Sequence, residues 1–366
     1  MLSHTYIKKI NLSLPKILSD NKSLDIQCVV PKKIFQDKKF IFPDYKKNDL
    51  KIKLIKLNLI NRSMRLQYFK KINKIIAKVK PDIIFLDNDT VCFQSITLIY
   101  WSFIFKFKIY YFCNENNLIN IKNSFSIKKL IKLILIYLAN TFLKSRINKI
   151  YCYSKQIKNN YDFLGYKKKT RIVPLGFDNK IFFNKTKIRK DKNLKISYFG
   201  RITPEKGIHI LIESLKLIKQ YNWNLIIDVD YIEDKKYFTK IKKELESNFL
   251  RKRYKFVKCN HFEIANYMRK SDILVLPSIH EEQYGRVIQE AIACGNVAVG
   301  SKIGAIPEII KDKSLLFEPG NYQKLALILK RLFNRGYYMN RFRKQFLDIN
   351  KNRSLQQQAK LILKSL

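Results

Sequence analysis

The sequence predicts an α/β fold built from two doubly wound domains, and three observations carry that prediction. Short β-rich runs alternate with longer helical patterns along the chain, the rhythm of βα units on parallel sheets. The rhythm breaks around Pro174–Phe183, where Pro-Leu-Gly-Phe-Asp carries turn chemistry between two periodic regions. A chain of 366 residues, at roughly 150 residues per domain, makes about two domains.

In the first half the strand candidates are Asp25–Val30, Asp82–Leu86, Lys108–Phe112, Lys149–Tyr153 and Arg171–Pro174. Helical patterns lie between them near Tyr6–Ser19, Ser63–Val79, Ser126–Arg146 and Ser154–Leu164. The second half repeats the alternation. Its strands are expected at Leu194–Phe199, Asn224–Val229, Tyr254–Val257, Asp272–Leu276 and Val297–Val299. Its helices are expected at Lys206–Gln220, Lys235–Asn248, Phe262–Arg269, Arg286–Cys294 and Tyr322–Phe333. The expected domains are residues 1–176 and 177–350, with 351–366 forming a last amphipathic helix that packs back on the first domain. Ligand is expected at the carboxyl ends of the strands.

Composition narrows the class. Hydrophobic residues make up 46% and aromatic residues 13%, which excludes global disorder. No run of about 18 apolar residues suggests a membrane span. The most apolar stretch, Ile96–Phe105, is closed by Lys106. The opening residues lack the basic-then-apolar pattern of a signal peptide. Cys28, Cys92, Cys113, Cys152, Cys259 and Cys294 are scattered without a C-x-x-C pair, which reads as reduced thiols in a cytoplasm. The chain carries 73 Lys+Arg against 29 Asp+Glu, a net charge of +44. Lys, Ile, Asn, Phe and Tyr all have A/T-rich codons, so base composition accounts for much of this charge. Attraction to an anionic membrane is the competing explanation. No nucleic-acid-binding motif accompanies the charge, and no nucleic-acid partner is expected.

Two segments carry chemistry. In the first, the apolar strand Ile196–Phe199 ends at Gly200, Arg201 follows at once, and Lys206 arrives beside Gly207 as a helix begins. Two cations and the free N–H groups of a helix start converge there, an arrangement suited to a diphosphate. The plain alternative is a basic loop in a basic protein. In the second, the strand ending at Leu276-Pro277-Ser278 runs into Glu281-Glu282-Gln283-Tyr284-Gly285-Arg286, and Glu290 lies on the following helix. A carboxylate in such a loop can bond sugar hydroxyls bidentately, and one on the helix can do the same for a ribose. Gly285 allows close backbone approach at the helix start. The alternative is a solvated acidic face, which is less natural in a chain so poor in carboxylates.

Both segments resemble the retaining, nucleotide-sugar-dependent glycosyltransferases of family 4, which have the GT-B fold. The resemblance rests on G-R-x-x-x-E-K-G at Gly200–Gly207, E-x7-E at Glu282–Glu290, Gly295, Gly304-Ala-Ile-Pro307-Glu308 and Phe317-Glu-Pro-Gly320. Upstream, Tyr153-Ser154 and Val173–Asp178 are similar to that family's last N-domain strand and interdomain crossing. The likeness is strong from Ile172 to Gly320 and weak before Pro81. It implies that Arg201 and Lys206 hold the donor diphosphate. It further implies that Glu282, Gln283, Tyr284 and Gly285 meet the donor sugar and that Glu290 meets the ribose, with Gly200 and Arg286 completing the donor site. The implied reaction moves a sugar from a nucleoside-diphosphate sugar to a glycan or lipid-linked acceptor, in the cytoplasm or peripherally on the inner face of the membrane. It needs no cofactor and no metal for the leaving group, whose charge the cations stabilise.

The sequence departs from the family in three places. Met1–Tyr6 leads almost directly into a helical pattern, so the first strand of the N-terminal domain and its Gly-rich loop are expected to be missing, leaving a hole in the sheet. The usual Gly-rich segment after the second strand of the nucleotide domain is replaced by Asp228-Val-Asp-Tyr-Ile-Glu-Asp234. Asn114 and Glu115 stand about where many relatives carry an acceptor-side His, and they are the acceptor-side candidates; His4 is a further one. Asp87-Asn-Asp89 and Asp228-Val-Asp230 read D-x-D, but a strand merely ending in Asp is the commoner cause, and no metal site is expected. Helix Ser126–Arg146 interleaves Lys129, Lys132 and Lys144 with apolar residues, which suits an anionic bilayer or, equally, a core-packing helix with a basic outer face. The rival to an enzyme is an inactive or truncated scaffold of the same fold binding partners or nucleic acid through its basic surface. A sugar-nucleotide epimerase is the third reading, and the E-x7-E segment speaks against it.

Overall fold

Strands buried on both faces of a parallel sheet read as continuous apolar runs, and Tyr110–Cys113 and Ile150–Cys152 do so in the structure. The structure is a computed structural model describing residues 1–36, 39–45, 52–60, 66–113, 127–185, 193–246, 250 and 252–366. It divides into one unit of Met1–Gly176 with Gln358–Leu366 and a second of Phe177–Gln357.

The N-terminal unit holds strands β1 (Gln27–Pro31), β2 (Ile34–Gln36), β3 (Lys39–Ile41), β4 (Lys53–Leu57), β5 (Leu59–Ile60), β6 (Tyr68–Phe69), β7 (Ile83–Asp87), β8 (Lys108–Cys113), β9 (Ile147–Cys152) and β10 (Thr170–Ile172). Its helices are α1 (Ser13–Ser19), α2 (Ile72–Val79), α3 (Phe93–Phe105), α4 (Ile127–Leu143) and α5 (Lys155–Tyr161). β4 pairs with β1, and β7, β8, β9 and β10 follow one another, all in parallel. β2 with β3 and β5 with β6 form small antiparallel ribbons that the βα rhythm did not predict.

The first strand survives as a single residue. Leu2 makes parallel bridges to both Val29 and Leu86, and so joins β1 to β7. Its N–H donates to the Phe85 carbonyl at 2.7 Å, and its carbonyl accepts from Asp87 N–H at 3.1 Å. The N-terminal amine donates to the Gln27 carbonyl at 2.7 Å, and burial lowers its pKa. The expected hole lies on the near side of Leu2: a cavity of about 340 Å³ lined by Met1, Ile26, Ile76, Phe85 and Ile362 among others. Past Leu2, the Ser3 and Thr5 hydroxyls both donate to Asp87.

Two expected helices are shorter than predicted. Residues 6–12 form 3-10 turns, and α1 starts only at Ser13, which places Pro15 in its first turn, where the missing N–H costs nothing. The pattern expected from Ser63 becomes helical only at Ile72, because Lys71 is left-handed (φ 63°) and Phe69 N–H is drawn off to the Gln94 side chain at 2.7 Å. Residues 61–65 lie outside the described residues.

The C-terminal unit holds β11 (Leu194–Tyr198), β12 (Trp223–Asp228), β13 (Tyr254–Val257), β14 (Ile273–Leu276), β15 (Val297–Ser301) and β16 (Leu316–Phe317). Its helices are α6 (Ile208–Leu217), α7 (Lys235–Glu246), α8 (His261–Arg269), α9 (Arg286–Ala293), α10 (Ile306–Ile309), α11 (Tyr322–Leu332) and α12 (Arg335–Asn352). The sheet is parallel in the order β13-β12-β11-β14-β15-β16. Strand order reverses between β11 and β14, and the open end beside their C-termini is where a doubly wound sheet binds ligand. Gln345 of α12 steadies β15 by bonding both the N–H and the carbonyl of Ala298 at 2.9 Å.

The last helix, α13 (Leu355–Leu363), returns to the N-terminal unit. Gln358 accepts from Gly176 N–H at 2.8 Å, and the Ser365 and Tyr151 hydroxyls meet at 2.6 Å. Ile362 is fully buried beneath it. Replacing Ile362 with Ala is expected to destabilise the N-terminal unit by about 2–4 kcal/mol, toward the low end because the existing cavity softens the loss. Urea unfolding followed by Trp101 fluorescence measures it.

Candidate functional site

The site grows from two loops at the switch point. β11 ends at Tyr198, whose hydroxyl donates forward to the Arg201 carbonyl at 2.9 Å and fixes the exit turn through Gly200. Pro204–Lys206 make a 3-10 turn, and Gly207 (φ 68°) starts α6 from the left-handed region. A Cβ on Gly207 would stand 2.0 Å from the Pro277 carbonyl oxygen, so this loop presses directly on the end of β14. The contact is stitched by Ile279 N–H donating to the Glu205 carbonyl at 2.8 Å.

The second loop runs from Pro277 to Gly285, which at φ 73° starts α9. Neither α6 nor α9 is capped by the side chain of its N-cap residue, which is glycine in both; in α6 the His209 N–H donates to the Tyr237 hydroxyl at 3.4 Å, while the first turn of α9 has no side-chain cap. The loop buries Glu282, whose Oε1 accepts from Lys206 Nζ and from the Ser278 hydroxyl, both at 2.5 Å. Ser278 is held in turn by the Ser301 hydroxyl, which donates to its carbonyl at 2.6 Å. Gly304 (φ 55°) lies so close that a Cβ would meet the Glu282 carbonyl oxygen at 2.4 Å, and Ala305 N–H donates to that oxygen at 2.9 Å.

The sequence candidates divide. Lys206 and Glu282 are brought together. Arg201 turns to Glu233 at 2.6 Å, with both side chains about half exposed. Gln283 is exposed at the loop surface. Tyr284 is buried, and its hydroxyl donates to Gln289 at 2.9 Å while accepting from Arg353 at 2.8 Å. It therefore serves as an internal strut, and Arg353 ties the same strut to the Glu308 carbonyl at 2.6 Å. Arg286 opens α9 and lies one turn from Glu290. Asn114 and Glu115 lie outside the described residues. The two D-x-D carboxylates serve local structure: Asp87 as above, and Asp228 by accepting from the N–H groups of Asp230 and Cys259.

Glu290 is the electrostatic anomaly. It is 6% exposed, and among the described residues nothing donates a hydrogen bond to its carboxylate. Burial raises its pKa to about 7, opposed only by the charge of Arg286. A buried carboxylate with unused acceptors can accept hydrogen bonds from hydroxyls.

Sequence reasoning missed Glu233, Ser278 and Arg353. Ser278 carried a signal, as the first polar residue beyond a buried strand. Glu233 and Arg353 reach their partners across 32 and 69 positions, with no periodicity to expose them.

Two α/β units on parallel sheets, the second with its site at the switch point, define the GT-B architecture. Residues 178–347, in the C-terminal unit, match the model of the family of glycosyl transferases group 1. An uncharacterized glycosyltransferase of Methanocaldococcus jannaschii is 31% identical over 189 residues, 51% of this chain and 50% of the relative. The capsular polysaccharide biosynthesis glycosyltransferase CapM of Staphylococcus aureus is 26% identical over 221 residues, 56% of this chain and 57% of that one. The chain spans about half the length of the curated relatives it matches. Among solved structures, Anabaena HepE in complex with UDP superposes with a TM-score of 0.72 at 19% identity, covering 98% of this chain and 95% of that chain.

The Glu290 shift has a stability consequence. The unfolded chain releases this proton near the ordinary 4.5 and the folded chain near 7. Between those values the folded state binds more protons, so stability falls as pH rises and levels off above about pH 7. Glu290→Gln is expected to remove that slope and to gain about 1–3 kcal/mol at pH 8 in the absence of ligand. Denaturant titrations of both proteins from pH 5 to 8 read it directly.

Proposed function

We propose that this chain is a retaining glycosyltransferase of family 4 that transfers a sugar from a nucleoside-diphosphate sugar to a glycan or lipid-linked acceptor. It would work in the cytoplasm, at the inner face of the membrane, in the synthesis of a surface polysaccharide or glycolipid. The observation that carries this reading is the buried, unpartnered Glu290 one turn inside the open end of α9, with Lys206 and Glu282 gathered in the adjoining loops. Glu290 would accept the two ribose hydroxyls. Arg201, Lys206 and the N–H groups at the uncapped start of α9 would receive the diphosphate. Glu282, held by Ser278 and by the close approach of Gly304, would bond the sugar once Lys206 turns to the phosphates. Departure of the diphosphate builds negative charge that those cations stabilise as it forms. CapM, named for capsular polysaccharide biosynthesis, supports the acceptor class, and HepE, solved with UDP, makes uridine the first base to test.

Titration calorimetry with UDP-glucose, GDP-mannose and ADP-glucose tests the reading. These diphosphate diesters keep a constant charge near neutrality, so pH dependence reports the protein. One of them is expected to bind about tenfold more tightly at pH 8 than at pH 6, following ionisation of Glu290. Glu290→Gln is expected to flatten that dependence, and Lys206→Ala to cost a further one to two decades in turnover. Chelation of divalent metal is expected to leave turnover unchanged, and NMR of the product is expected to show the donor's anomeric configuration. If no nucleotide sugar binds at millimolar concentration, the scaffold reading takes its place.

The Arg201–Glu233 pair must open for Arg201 to meet a diphosphate. Glu233→Gln is therefore expected to tighten nucleotide binding about two- to fivefold, the scale of a half-exposed pair. The same calorimetry measures it.

A further inference from the structure

α3 and α4 show the solvent an apolar face. On α4, Leu130, Ile131, Ile134, Leu135, Leu138 and Phe142 are all exposed, Phe142 by 81%. At 3.6 residues per turn they cover an arc of about 140°. Its opposite side is anchored: Asn140 is buried and its Oδ1 accepts from the Thr90 hydroxyl at 2.8 Å and the Tyr166 hydroxyl at 2.9 Å. That anchor fixes the rotation of the helix and keeps the arc outward. On α3, Ile96, Tyr100, Phe103 and Ile104 form a second exposed stripe about 100° wide. The two faces meet where the Arg146 guanidinium, just past α4, lies 3.7 Å from the centroid of the Phe103 ring.

We propose that this joint face of α3 and α4 is a docking surface for an anionic lipid bilayer, on which α4 lies in the plane of the interface. The proposal extends the reading of a lipid-linked acceptor, and it makes no use of the donor site. Two features select lipid over protein. First, the arc offers little directional bonding. Thr141 spends its hydroxyl on the Leu138 carbonyl at 2.6 Å, which leaves the Tyr137 hydroxyl as the polar atom of the exposed described residues from Leu130 to Phe142. A non-directional apolar solvent fits such a face, and Tyr rings settle at headgroup level. Second, the sequence that forms the face is strongly biased to one sign of charge. From Phe93 to Tyr161 the sequence carries eleven Lys or Arg and a single carboxylate, Glu115. Each cation near an anionic leaflet adds to attraction. No helix among the described residues is long and apolar enough to cross a membrane, so the face lies on the bilayer and does not span it.

Vesicle co-sedimentation at 150 mM NaCl, without donor or acceptor, tests the proposal. A chain of this charge adheres to anionic vesicles through electrostatics alone, so the variants must leave every charge in place. Leu135→Gln, Leu138→Gln and Phe142→Gln are combined in one protein. Leu327→Gln and Leu347→Gln, at exposed positions of the C-terminal unit, form the control. The triple variant is expected to partition onto phosphatidylglycerol/phosphatidylcholine vesicles at least tenfold more weakly than the parent, and the control to match the parent. Brominated lipid gives a readout free of substitutions: Trp101 of α3 should be quenched while buried Trp223 is not, so roughly half of the tryptophan emission is expected to remain. Equal partitioning of triple variant and parent overturns the proposal in favour of diffuse charge attraction. A parent that is dimeric by light scattering, ignores vesicles and becomes monomeric in the triple variant overturns it in favour of a second copy. Failure of either kind leaves nucleotide binding intact, so it is distinguishable from failure of the donor-site reading.

Discussion

The switch-point end of the C-terminal unit depends on how closely two loops can approach. Gly207 sits where any side chain would strike the Pro277 carbonyl, and Gly304 sits where any side chain would strike the backbone of Glu282. Both glycines are in the left-handed region, so the missing Cβ serves conformation and proximity at once. These approaches set the 2.5 Å contact of Lys206 with Glu282. A hydrogen-bonded ion pair this buried gains little net stability against the desolvation of its partners. Its worth lies in holding a cation and a carboxylate in one small volume, ready to separate onto different parts of a ligand.

That logic extends to the other charges of the site. Lys206 and Arg201 each rest on a carboxylate, Glu282 and Glu233, while Glu290 rests on nothing and takes the cost as a pKa raised to about 7. On the proposed reading the paired cations would exchange partners when a diphosphate arrives, so only part of their attraction would appear as affinity. Glu290 exchanges nothing, and hydroxyls donated to it relieve a penalty already present in the fold. Of the candidate residues it would therefore have the largest differential interaction with the proposed ligand, which is what binding energy requires.

The parts of this arrangement that could be read in the sequence share one property: they are local. Parallel strands announce themselves as apolar runs, and a strand followed by Gly200-Arg201 or by Glu282 through Gly285 places its loop at the sheet's open end without further information. What escaped was non-local or hidden by composition. Leu2 completes the N-terminal sheet as a strand of one paired residue, too short to leave a pattern. Glu233 stands in the segment that departs from the family, and its meeting with Arg201 is visible only after β12 has been laid beside β11. α3 escaped because it is apolar on its outer side as well as its inner side, which erases the period that marks a surface helix.

That last failure bears on the basic charge. A coding bias toward A and T enriches Lys and Ile together, and it scatters both without regard to which side of a helix is wet. With 28% of the chain charged, a solvent-facing helix should carry cations along its outer face. Leu130–Leu143 contains one charged residue, Lys132, while lysines and arginines crowd the sequence on either side. Composition can account for the number of cations but not for their exclusion from one exposed arc held outward by the buried amide of Asn140. The exclusion is a property of place, and a bilayer surface has this same division into an apolar interior and an anionic border.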